Sequence, residues 1–134
     1  MKTKLFLISA CLTLSASFAG AVSLHLFESE DGSPTAISAD GKVILFGGSS
    51  YGPSRWENGT FQSLGDSNWI QYYDLTADGK VLVGASYSIP IRWENGIEEK
   101  LALPAGDHPT AVASAVSADG VIIVGHMYPP SVGT

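Results

Sequence analysis

Ile37-Ser38-Ala39-Asp40-Gly41-Lys42-Val43-Ile44-Leu45-Phe46-Gly47 carries the architecture of this chain, because it returns twice further on. The copies are Leu75-Thr76-Ala77-Asp78-Gly79-Lys80-Val81-Leu82-Val83-Gly84 and Val116-Ser117-Ala118-Asp119-Gly120-Val121-Ile122-Ile123-Val124-Gly125. Their Asp-Gly pairs lie at 40, 78 and 119, intervals of 38 and 41 residues. A second motif recurs in the same phase, Arg55-Trp56-Glu57-Asn58-Gly59 and Arg92-Trp93-Glu94-Asn95-Gly96, 37 residues apart. Two motifs at one period of this size mark a repeat architecture.

Each repeat reads as strands. Asp tolerates positive φ and Gly favours it, so Asp40-Gly41, Asp78-Gly79 and Asp119-Gly120 are expected to form type I′ hairpin turns, the first joining a strand ending near Ser38 to one over 43–46. Asn58-Gly59 and Asn95-Gly96 are expected to close a second hairpin per repeat, with arms over 54–57 and 60–64 in the first copy. The runs 43–46, 81–83 and 121–124 are continuously apolar, which suits strands covered on both faces by neighbouring sheets. The expected class is therefore all-β: antiparallel four-stranded repeats of about 38–41 residues in a partial β-propeller-like array. Two full repeats fall at about 34–70 and 71–109, with a partial third at 110–134. Residues 22–27 read as a lone last strand of a preceding blade.

The pattern Ser-Ala-Asp-Gly-x-Val-x-Val-x-Gly, followed by Arg-Trp-x-Asn-Gly and Leu64-Gly65, resembles the extracellular repeats of the HAF family. These occur in exported bacterial proteins and in passenger regions of some autotransporters. The resemblance covers about residues 34–128 and implies an exported β-repeat protein. Phe46 departs from it, reading as an extra residue before Gly47. Family members usually carry more copies, and a third Arg-Trp would begin at 133 or 134, so the chain reads as truncated.

The whole chain has 134 residues, 7 Lys and Arg against 13 Asp and Glu, and 45% hydrophobic residues. That composition excludes a disordered acidic polymer and a disulfide-stapled miniature. Lys2 and Lys4 precede an apolar run from Leu5 to Leu14, and small residues cluster up to Ala19-Gly20-Ala21, the plan of a signal peptide over 1–21 cleaved after Ala21. Ala19 is the second choice of site. Ile8-Ser9-Ala10-Cys11 offers a lipoprotein signal as the rival reading. No other segment approaches the ~18 apolar residues of a transmembrane helix. Without 1–21 the chain holds five basic and thirteen acidic side chains, a formal charge of −8, which argues against nucleic acid as a partner. Cys11 is the single cysteine, so the mature chain has no disulfide, thiol nucleophile or zinc-thiolate site.

Trp56 and Trp93, at equivalent positions, are read as packing between blades, with a carbohydrate-stacking platform as the alternative. Arg55 and Arg92 are read as surface ion-pair partners of Glu57, Glu94 or the turn aspartates. Asn68-Trp69-Ile70-Gln71-Tyr72-Tyr73 breaks the pattern with bulky residues. If Tyr72 and Tyr73 face opposite sides of a strand, one is core and the other a ligand contact; a bulky innermost strand is the alternative. His25, His108 and His126 lack metal-ligand spacing, and a lone Asp-Gly lacks the alternating oxygens of a calcium loop. No catalytic group, metal or cofactor is expected. The functional expectation is an exported, non-enzymatic module for surface display or for binding a macromolecule or glycan, self-associating through unpaired strands. The alternative is part of a secreted propeller hydrolase whose catalytic blades are missing.

Overall fold

A computed structural model of the chain describes residues 22–28, 31–47, 52–104 and 110–128. The expected signal segment 1–21 with Cys11, and His108, lie outside the described residues. Those described form ten strands in three antiparallel sheets, with no α-helix. The first sheet is β1 (Ser33–Ile37), β2 (Val43–Gly47), β3 (Ser54–Glu57) and β4 (Thr60–Ser63), paired in chain order. The second is β5 (Ile70–Leu75), β6 (Val81–Ser86), β7 (Ile89–Glu94) and β8 (Ile97–Lys100), again in chain order. β9 (Thr110–Val116) and β10 (Ile123–Tyr128) make the two-stranded third. The sheets pack one on the next: β1 and β2 meet β5, and β5, β6 and β7 meet β9.

Strand alternation sets what each face buries. In the first sheet Val43 and Leu45 turn toward the second, while Ile44 and Phe46 turn away from it beside Trp56 and Phe61. Val43, Leu45 and Leu64 form one core with Tyr72, Leu75, Leu82, Ile91 and Trp93 of the second sheet. Buried Val81, Val83 and Ala85 meet the third sheet, whose Ala111 and Ala113 are also buried. The buried run of β6 is thus a strand sandwiched between two sheets, whereas that of β2, expected to be covered by sheets on both faces, has a sheet on one face and the rings of Phe27 and Phe61 on the other.

Both Asn-Gly turns are type I′, with φ of 51° and 83° at Asn58-Gly59 and 53° and 84° at Asn95-Gly96. The Asp-Gly turns differ from expectation. Gly41, Gly79 and Gly120 have φ of 73°, 68° and 77°, but their aspartates do not have positive φ. In the first, the Ser38 N–H donates to the Val43 carbonyl and the Gly41 N–H to the Ser38 carbonyl, both at 2.9 Å, so the loop spans four residues instead of two. Side chains hold the extra length, as described below.

Three further expectations are corrected. Residues 22–27 form no strand: Val22, Leu24 and Leu26 are exposed, and Phe27 inserts edge-on against Phe46 and Trp56, ring centroids 4.9 and 5.7 Å away. The segment caps the outward aromatic face of the first sheet by side-chain packing. Phe46 is not an extra residue, since it opposes Pro34 as Gly84 opposes Tyr72 and Gly125 opposes Ala113. It stands in the glycine's place, where its ring fills the aromatic cap. The run 121–124 is neither one strand nor covered on both faces: β10 begins at Ile123, and Val121, Ile122 and Val124 are 78%, 62% and 56% exposed. No third sheet neighbour lies over them among the described residues.

The first strand of each repeat carries a bulge at an equivalent residue, Thr35, Tyr73 and Ser114, which the pairing skips. Sequence offered no sign of it, because a bulge depends on the register of the partner strand.

Candidate functional site

The turn aspartates spend their oxygens on their own loops. Ser38 Oγ donates to Asp40 Oδ1 at 2.7 Å, the Lys42 N–H donates to the same oxygen at 3.0 Å, and the Val43 N–H donates to Ser38 Oγ at 2.9 Å. Thr76 and Asp78, then Ser117 and Asp119, repeat this network. Hydrogen bonds from the preceding hydroxyl, then from the backbone, hold the three carboxyls below the ordinary carboxylate value. Each turn also touches its neighbour. The Ala39 N–H donates to the Ala77 carbonyl at 2.9 Å and the Ala77 N–H to the Ala118 carbonyl at 3.1 Å.

Arg55 pairs with Glu57 and Arg92 with Glu94, each at 2.7 Å. Both pairs are partly exposed, and Arg55 also reaches the Gly79 carbonyl of the next sheet at 3.4 Å. Trp93 lies in the core between the first two sheets. Trp56, half-buried, lies under Phe27 on the outward face.

β5 separates the two tyrosines. Tyr72 is 1% exposed and its hydroxyl donates to Glu98 at 3.3 Å; burial, then Glu98, pushes its phenol up. Tyr73, at the bulge, is 39% exposed, and its hydroxyl donates to Gln71 Oε1 at 2.8 Å. Burial pushes its phenol up as well, with Tyr128 adding to it. Two other aromatics are exposed, Trp69 just before β5 and Tyr87 in the turn between β6 and β7, tied by the Tyr87 N–H donating to the Trp69 carbonyl at 3.0 Å. Tyr87 was not singled out from sequence because Tyr87-Ser88 is a two-residue turn with φ of 49° and 66° and no glycine to mark it.

His126 lies 3.2 Å from Ser114 Oγ and 2.9 Å from the Tyr128 hydroxyl, while His25 is exposed. No group of three or more potential metal ligands occurs among the described residues. No described helix is long and apolar enough to cross a membrane.

A groove of about 420 Å³ lies between the second and third sheets, with Pro90, Leu101 and Leu103 on one wall and Ala111, Ile123 and Met127 on the other. The surface thus holds two features suited to contact, the exposed aromatic pair Trp69 and Tyr87 and an apolar groove along β10. Comparisons with protein families, with curated proteins and with solved structures give no match.

Proposed function

We propose that this chain is an exported, non-enzymatic β-repeat module of the HAF type, a propeller-like stack serving surface display or the binding of another macromolecule or glycan. The observation that carries the reading is the reuse of one inter-sheet contact, the turn-to-turn backbone bond from Ala39 to Ala77 and again from Ala77 to Ala118. A scaffold built by repetition presents surface instead of a unique reactive centre, because a catalytic group is needed once and a stacking contact at every step. The exposed aromatics Trp69, Tyr73 and Tyr87 suit such contacts, offering broad faces with polar tips. Open strands make self-association part of the same proposal.

Export rests on the first 21 residues, and mass spectrometry of protein recovered from an extracytoplasmic fraction tests it. The expected N-terminus is Val22, or Gly20 if the second site is used. Intact Met1 on cytoplasmic protein would overturn the proposal, and a lipidated Cys11 would replace cleavage after Ala21 by lipoprotein processing.

A further inference from the structure

β10 ends the third sheet. β2 and β6 have a strand on each side, whereas β10 pairs with β9 alone among the described residues. On the face that β9 and β10 turn to the second sheet lies the groove of about 420 Å³, lined by Leu101, Leu103, Ala111, Ala113, Ile123 and Met127.

The earlier repeats indicate what fits there. The Thr76 N–H donates to the Val81 carbonyl as the Ser117 N–H donates to the Ile122 carbonyl, so Ile123 stands where Leu82 does, and Gly125 where Gly84 does. In the second sheet Leu82 is opposed by Trp93 and Gly84 by Ile91. Both partners are buried in one core with Leu64, the residue that follows β4. Leu101 follows β8 in the same way: its N–H donates to the Pro90 carbonyl at 2.8 Å, as that of Leu64 donates to the Pro53 carbonyl at 3.0 Å. Leu64 is 8% exposed, but Leu101 is only half-buried. The groove is therefore a repeat interface with its tryptophan and isoleucine wall absent among the described residues.

We propose that the free edge of β10 and this groove form a strand-addition site for a β-hairpin of the Ile-x-Ile-Arg-Trp-x-Asn-Gly type presented by another polypeptide. The hairpin adds antiparallel to β10, its Trp opposite Ile123 and its second Ile opposite Gly125. Edge N–H and C=O groups supply main-chain bonds, and the two side chains on the inward face supply selectivity. Gly125 occupies the place of Gly84, which pairs with Ile91 on one side and on the other lies too close to the backbone of the first strand for a Cβ, as Gly125 does to that of Val112. This deepens the binding-module reading by naming a partner chemistry, and it uses only the repeat geometry.

The test titrates the ¹⁵N-labelled mature chain with a peptide of residues 88–101, and with a cyclised form that removes the ordering cost. The expected result is saturable shifts confined to 111–113, 123–127 and Leu101–Leu103. A Trp93→Ala version of the peptide should bind roughly tenfold more weakly or worse, the usual loss when a buried aromatic anchor is truncated. Leu103→Asp in the chain, at a rim position outside the core, should weaken binding while leaving the melting temperature near that of the parent. No shifts with the cyclised peptide would overturn the proposal. So would shifts indifferent to the peptide tryptophan, or shifts centred on Phe27, Phe46 and Phe61. Those failures leave the export result untouched, so the two proposals stand or fall separately.

Discussion

Glycines at the Asp-Gly turns share a backbone conformation but not a neighbourhood. Gly41, Gly79 and Gly120 all sit at positive φ, where a β-branched residue is strained by about 1 kcal/mol or more. A Cβ at Gly41 would meet nothing within 4 Å, one at Gly120 would touch Thr76 at 3.3 Å, and one at Gly79 would press on Val43 at 2.7 Å. Valine should therefore destabilise most at Gly79, less at Gly120 and least at Gly41, in thermal melts of the three variants. Three variants melting like the parent would refute the turn geometry. The aspartates beside them give the fold an acid limb. Their folded values lie below the unfolded one, so their stabilisation is present above the ordinary carboxylate value near 4 and is lost as pH falls through the folded value. Asp78→Asn, which removes the titration while keeping an acceptor, should flatten the fall in denaturation midpoint below about pH 4. These turns were legible in sequence as hairpin ends. Their type was not, because it depends on Ser38, Thr76 and Ser117 bonding across the loop.

Equivalent strands acquire unequal weight from what covers them. β3 and β7 both read Arg-Trp-Glu, yet Trp93 is 9% exposed between two sheets while Trp56 is half-buried under one phenylalanine. Trp93→Ala should lower stability by about 3–5 kcal/mol, the usual range for emptying a core aromatic site. Trp56→Ala should cost only about 2 kcal/mol, in proportion to the apolar area it removes from water. Urea denaturation of the two variants distinguishes these outcomes, and equal losses would contradict the packing. A single substitution also separates the first repeat from the others. Phe46 replaces the glycine found at 84 and 125, where a Cβ would run into the backbone of the adjoining strand. In β2 the ring instead joins Phe61, with centroids 5.2 Å apart, and Phe27, making the outward face of the first sheet an aromatic cap.

The stack as a whole shows the same inter-sheet contact propagating from the first sheet to the third and then meeting open surface. Ile122 and Val124 hold the positions of Val43 and Leu45, which are 2% and 0% exposed, yet they are themselves 62% and 56% exposed. Local spacing was sufficient for the all-β class, the repeat period, the two Asn-Gly hairpins and the alternation of buried runs with turns. Those features depend on neighbours within a few residues, through positive φ at turn glycines and the two-residue period of a strand. Packing in three dimensions settled the rest: the bulges at Thr35, Tyr73 and Ser114, the docking of Phe27 without a strand, the split between Tyr72 and Tyr73, and the groove along β10. Each of these joins residues far apart in the chain, and no pattern of nearby residues records which distant surface will cover a side chain and which will leave it bare.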